Sequence, residues 1–150
     1  ADVADLTVVT NSMQVAQALQ RPPAAGRTVI LTGGVRTPSD ALVGPVAVAA
    51  LRQLHLDALF LGVHGMSLRA GYSTPNLLEA DVNRAFLEAA HRLVVVADHT
   101  KWGQVGLSSI APLDAADVVV TDSGLSPEAR RHLSDIVGDV IAAQPIGAQP

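Results

Sequence analysis

Residues 57–81 read DALFLGVHGMSLRAGYSTPNLLEAD, and the parsing of this stretch decides the fold. Its apolar run, Ala58-Leu59-Phe60-Leu61, stops abruptly at Gly62-Val63-His64-Gly65. A run this short, bounded by glycine, predicts a buried strand rather than a helix. A loop carrying Gly71, Ser73, Thr74 and Pro75 follows, and an amphipathic helix begins near Asn76. In an open α/β sheet, ligands bind just beyond the carboxyl ends of the strands, where such loops gather. Strand, glycine loop, hydroxyl-rich loop and helix start therefore mark the place to look for a small molecule.

Upstream, Leu6–Thr10 and Thr28–Thr32 are β-branched runs that predict strands. Between them Asn11 or Ser12 can cap a helix to about Gln20, with Val15, Ala18 and Leu19 inward, before a turn from Arg21 to Gly26. Val35 to Val43 reads as a polar loop, and Gly44-Pro45 opens a helix in which Ala47, Ala50, Leu51 and Leu54 recur at helical spacing. Downstream, Leu78, Val82, Ala85, Phe86 and Ala89 follow the 3.6-residue period of a helix from about Asn76 to Arg92. Leu93–Ala97 and Asp117–Thr121 are further strands, separated by a looser stretch from Trp102 to Ala116. Ser126-Pro127-Glu128 opens a helix to about Val137, with Gly138 placed to end it, and Asp139–Ala142 is a last short strand. Strands that are continuous apolar runs and alternate with helices predict an open, mostly parallel α/β sheet with helices on both faces. One domain is expected over residues 1–143, followed by a disordered tail, residues 144–150.

Composition narrows the function. At 49% hydrophobic, the 150 residues supply one full core, and no apolar run approaches the ~20 residues of a membrane span. No basic stretch followed by an apolar one opens the chain, so no signal peptide is expected. The absence of cysteine excludes disulfides and zinc–thiolate sites, and fits the cytoplasm. With a net charge of −4 and nine scattered arginines, of which only Arg130 and Arg131 are adjacent, the chain has no phosphate-neutralising face for nucleic acid.

Lys101 is the chain's single lysine and follows the strand Leu93–Ala97. It reads either as a surface lysine or as a point charge toward a phosphate. Glu79 fits a capping box with Asn76, unless Thr74-Pro75 supplies the cap and leaves Glu79 to face the cleft. His64, and His99 with Asp98, lack the spacing of metal ligands, so contact with a ligand or support of one is the simpler role, and no metal is expected. GxGxxG, GxxxxGK[ST] and GxSxG are all missing, so no dinucleotide, P-loop or nucleophile-elbow chemistry is expected, and no cofactor. The strand ends Thr10-Asn11-Ser12, Gly33-Gly34, Gly62 to Gly65, Asp98 to Lys101 and Thr121-Asp122-Ser123 share one small or polar character. If the strands are parallel these lie on one edge, offering the hydroxyls and backbone N–H groups that suit a sugar phosphate.

In this order, Val8-Val9-Thr10-Asn11-Ser12, Leu31-Thr32-Gly33-Gly34, Gly44-Pro45, Asp57 through Phe60-Leu61-Gly62 to Gly65, Gly71 with Thr74 through Asn76 to Glu79-Ala80, Ala97-Asp98 with Lys101, and Val120-Thr121-Asp122 resemble the effector-binding domain of DeoR-family transcriptional regulators. The resemblance covers about Leu6 to Ala142. It implies a fold similar to ribose-5-phosphate isomerase, glucosamine-6-phosphate deaminase and CoA transferases, and a sensor of a phosphorylated sugar or related metabolite that controls an attached winged helix-turn-helix. It also implies that Lys101 meets the ligand phosphate, that Asn11, Gly33, Gly34, Gly62, Gly65, Thr74 and Glu79 line the pocket, and that the domain forms homo-oligomers. The family has a helix, a strand and a Gly-Thr/Ser-Thr loop ahead of the position of Leu6, and a DNA-binding domain before those; none is in this sequence, which is expected to be a fragment. His64 stands where the family commonly has a small residue, which bears on ligand preference.

An isomerase or deaminase on the same scaffold is the alternative. Such enzymes carry a catalytic lysine directly after the glutamate that Glu79 resembles; here Ala80 stands there, so proton transfer lacks a positioned amine. A non-enzymatic sensor is the expectation.

Overall fold

The computed structural model describes Val3, residues 5–20 and residues 26–144. The turn expected at Arg21 to Gly26 lies outside the described residues except for Gly26, and the tail does so beyond Gln144. The protein is mixed α/β and falls into two compact units, residues 1–54 and residues 55–150.

In the first unit, β1 (Leu6–Thr10) and β2 (Arg27–Leu31) pair in parallel, Leu6 opposite Arg27 and Thr10 opposite Leu31. Between them in sequence lies α1 (Met13–Leu19), which begins at Ser12 because that hydroxyl accepts from the Val15 N–H at 3.2 Å. Its buried residue is Ala16, whereas Val15 and Ala18 are exposed: a helix of two turns presents only one narrow stripe inward. The polar loop expected from Val35 to Val43 is a hairpin of β3 (Val35–Arg36) and β4 (Leu42–Val43). Thr37 closes its turn, giving its carbonyl to the Asp40 N–H and its hydroxyl oxygen to the Ala41 N–H. Then α2 (Pro45–Leu51) starts with proline at its first position and buries Ala47 and Leu51, while Ala50 stays exposed.

The second unit contains β5 (Leu59–Gly62), β6 (Gly65–Ser67), β7 (Gly71–Thr74), α3 (Leu77–Ala89), β8 (Leu93–Val96), β9 (Ser108–Ala111), β10 (Val118–Asp122), α4 (Pro127–Ile136) and β11 (Asp139–Ala143). Four strands form a parallel sheet in the order β11-β10-β8-β5, flanked by helices. The register sets Gly62 beside Val96, Val96 beside Val120 and Val120 beside Ile141. Strand periodicity then sorts the side chains. Leu59, Leu61, Val95 and Val119 are buried, while Phe60, Val96 and Ile141 on the other face are 72%, 47% and 47% exposed.

Asn76 caps α3, its side-chain oxygen accepting from the N–H groups of Leu78 (2.9 Å) and Glu79 (3.1 Å). Its buried residues are Ala80, Val82, Ala85 and Phe86; Leu78, expected inward, is exposed. Ser126 caps α4 in the same manner, accepting from the Ala129 N–H. Gly138 is needed for a different reason from the one expected. A Cβ there would lie 2.7 Å from the Asp117 carbonyl oxygen, so close approach to the chain entering β10 demands glycine, not a left-handed helix end. The expected loops around Gly71 and from Trp102 to Ala116 contain β6, β7 and β9, which make an antiparallel sheet with a bulge at Tyr72/Ser73. Among the described residues no helix is long and apolar enough to cross a membrane.

Candidate functional site

Three strands of the parallel sheet end side by side. Because Gly62, Val96 and Val120 are in register, the segments that follow them leave the sheet at one edge. After β8 comes Asp98, which caps a short 3-10 turn, His99–Lys101, by accepting from the Thr100 N–H (2.9 Å) and from its hydroxyl. Asp122, at the end of β10, reaches across to this turn: its carboxylate accepts from the His99 N–H at 3.1 Å, meets His99 Nδ1 at 2.8 Å and accepts from the Gly124 N–H at 2.7 Å. Gly124 packs against the His99 ring so closely that a Cβ would sit 2.5 Å from Nδ1.

These bonds set the electrostatics. The hydroxyl of Thr100 foremost, then its backbone N–H, holds the Asp98 carboxyl below the usual carboxylate range. The backbone N–H groups of His99 and Gly124 do the same for Asp122. Both acids are ionised and turned to local donors. Lys101 is left half-exposed, and its ammonium makes no hydrogen bond or ion pair among the described residues. The ligand atoms of Asp98, His99 and Asp122 do lie within 4.8 Å of one another, but the hydrogen bonds just described account for their positions without a cation.

The loop after β5 divides into two kinds of glycine. A Cβ at Gly62 would meet nothing within 4 Å, and its backbone is not left-handed, so the chain itself does not require glycine there. At Gly65 a Cβ would lie 2.3 Å from the Gln104 carbonyl oxygen. This glycine lets the segment after Lys101 run along β6, where Trp102 bridges to Met66 and the Gly103 N–H donates to the Met66 carbonyl at 2.9 Å. His64 is exposed between them, its N–H donating to the Ser73 carbonyl at 3.1 Å.

Thr74 is buried at the end of β7, and its hydroxyl donates to Glu79 Oε2 at 3.4 Å. Asn76 is thus the helix cap, and the half-buried Glu79 carboxylate turns toward Thr74. Two residues outside the pocket that the family resemblance implies hold this corner. Ser73 is fully buried and its hydroxyl oxygen accepts from the Gly106 N–H at 2.9 Å; Gly106 lies so near the Thr74 backbone that a Cβ would come within 2.5 Å. Ser73 stands in the hydroxyl-rich loop read from the sequence, and the one signal for Gly106 is its place between Val105 and Leu107 in an otherwise featureless stretch.

In the first unit Asn11 and Gly33-Gly34 follow neighbouring parallel strands. The Asn11 carbonyl accepts from the Leu42 N–H at 2.7 Å, and its side-chain amide donates to the Leu42 carbonyl at 3.2 Å. Gly33 and Gly34 both have positive φ, 73° and 114°, and a Cβ on Gly34 would lie 2.5 Å from the Val43 carbonyl oxygen. Asn11, Gly33 and Gly34 thus form one cluster in their unit; Gly62, His64, Gly65, Thr74, Glu79, Asp98 and Lys101 belong to the other.

A family model described as the DeoR C terminal sensor domain matches residues 1–123. The chain is 39% identical over 129 residues to the HTH-type transcriptional regulator YgbI of Escherichia coli K12, covering 85% of the chain and 49% of that protein. It is 36% identical over 138 residues to a protein named as an aga operon transcriptional repressor in Escherichia coli O157:H7, covering 91% and 51%. It is 35% identical over 126 residues to the HTH-type transcriptional regulator GlpR of Haloferax volcanii, covering 83% and 48%. The chain spans about half the length of these curated relatives.

Proposed function

The chain belongs to the DeoR C-terminal sensor domain family, and on that premise we propose that the metabolite it senses is a phosphorylated sugar or a close relative, bound at the carboxyl ends of β5, β8 and β10. The observation that carries this is a pair of positions for which the chain has no use of its own. Among the described residues nothing lies within 4 Å of a Cβ at Gly62, and Lys101, beyond the end of the neighbouring strand, has an ammonium without an ion pair. Glycine where the protein itself tolerates a Cβ suits the close approach of a ligand, and an unpaired ammonium suits its phosphate. Asp98 and Asp122 do not oppose an anion as free charges, since each already accepts hydrogen bonds from backbone N–H groups. Within the second unit His64, Gly65, Thr74 and Glu79 are further candidates for ligand contact, and Asn11, Gly33 and Gly34 are candidates within the first, each unit taken by itself.

The sensor acts in the cytoplasm, as a homo-oligomer, on a DNA-binding helix-turn-helix of the whole regulator. The relatives' names, all of transcriptional regulators, support this over the enzyme alternative, as does Ala80 following Glu79.

The test is calorimetry of the full-length regulator against a panel of pentose, hexose and ketose phosphates, each beside its free sugar. A phosphate ester should bind and alter operator affinity, and its free sugar should bind far more weakly. A panel in which no phosphate ester binds would overturn the ligand class. Turnover of any panel member that Glu79→Gln abolishes would restore the enzyme.

A further inference from the structure

At the end of the antiparallel sheet remote from Thr74, the tight turn after β6 and the segment Ser109–Asp114 wall a groove of about 460 Å³, which Ile136 borders from the end of α4. Its walls are pinned in place. The Ser109 hydroxyl donates to the Ala70 carbonyl at 2.9 Å, the Ala70 N–H donates to the Ser67 hydroxyl at 3.0 Å, and beneath them the buried Tyr72 hydroxyl donates to the Leu113 carbonyl at 3.1 Å. Over this rigid floor the rim exposes two apolar side chains, Leu68 (57%) and Ile136 (39%). It also exposes one positive and one negative charge, Arg69 and Asp114, and neither makes an ion pair among the described residues.

We propose that this groove is where a second copy of the chain docks, about a two-fold axis that places Leu68 of each copy in the groove of the other and Arg69 of each against Asp114 of the other. An isologous contact must be self-complementary, since residue i meets j and j meets i. The groove offers an exposed leucine on its own rim, Leu68, and, in charge, one cation and one anion that make no ion pair among the described residues. A preformed floor lowers the ordering cost of association. The inference rests on the proposed self-association and names the face that performs it. It leaves the carboxyl edge of the parallel sheet open to a ligand.

Sedimentation equilibrium of the full-length regulator tests it with Arg69→Glu, Asp114→Arg and the double variant that swaps both charges. Each single reversal sets two like-charge pairs across the axis and should weaken association about tenfold or more, and the double variant should return to within a few-fold of wild type. Wild-type association should also weaken as salt rises. Matching thermal melts establish that all four proteins are folded. Association that survives both single reversals, or is not regained in the double variant, overturns this face while leaving self-association standing. A monomeric wild type overturns both, and neither result touches the sugar-phosphate reading, which calorimetry decides separately.

Discussion

The two sheets of the second unit use small residues in opposite ways. In the antiparallel sheet and the segment leading into β9, small residues are consumed by packing: Cβ atoms at Gly65, Gly71 and Gly106 would lie 2.3, 2.1 and 2.5 Å from backbone atoms, and the Ser73 hydroxyl is bonded inside. At the carboxyl edge of the parallel sheet, Gly62 faces open space and Lys101 has no ion-pair partner among the described residues. A glycine that its own backbone demands says how the chain is built; one that nothing in the chain demands points to something from outside. The side chains of Asp98 and Asp122 stand between these cases, charged but already engaged by backbone donors.

The sharpest way to break the contrast is Gly71→Ala. Its φ of 66° and the approach of the Ala111 carbonyl act together, and the loss should be about 2–5 kcal/mol, summing left-handed strain of about 1–2 with overpacking of about 1–3. Urea unfolding measures it, and a loss under about 1 kcal/mol would mean that the antiparallel sheet yields where close packing says it cannot.

Next comes Lys101→Ala. A charge-assisted bond to phosphate contributes roughly 1.5–3 kcal/mol, so affinity for the phosphate ester should fall about ten- to a hundredfold at ~1.4 kcal/mol per decade. Folding stability should hold within about 0.5 kcal/mol. Calorimetry giving equal affinities removes Lys101 from the site.

Gly62→Ala pairs with the first variant. Stability should change by no more than about 0.5 kcal/mol, because the new methyl meets nothing within 4 Å, while binding of the phosphate ester should weaken. A variant that binds as wild type would return Gly62 to the ordinary glycines of strand ends.

The smallest effect is with pH. Asp98 and Asp122 both titrate below the ordinary carboxylate value of 3.8 in the folded chain. Their contribution to stability is therefore complete above that value and is lost as pH falls through the lower folded values, since the unfolded chain takes up the protons first. Asp98→Asn/Asp122→Asn should flatten the acid limb of a stability–pH curve. An unchanged limb would show that their hydrogen bonds do not favour the charged form.

How much was legible follows the range of the forces. Runs such as Leu93–Val96 and Val118–Asp122, and caps such as Ser12, Asn76 and Ser126, write their elements locally: a buried apolar strand or an N-cap needs only its neighbours in sequence. The grouping of Gly62, Asp98 and Asp122 at one edge followed from parallel pairing, which continuous apolar strands imply.

What the tertiary structure alone decided is the antiparallel sheet and everything it positions. β6 and β9 are three and four residues of glycine, serine and a few apolar side chains, with no period to read, and β9 acquires its strand conformation only by pairing with β7 across the whole of α3 and β8. The same holds for burial. No local pattern tells that Leu78 faces out, that Phe60 lies on the exposed face of its strand, or that Gly65 rather than Gly62 is wedged against Gln104. A sequence determines its strands and caps through contacts a few residues long. Which backbone passes within 3 Å of which glycine depends on segments distant in the chain, and only the assembled structure brings them together.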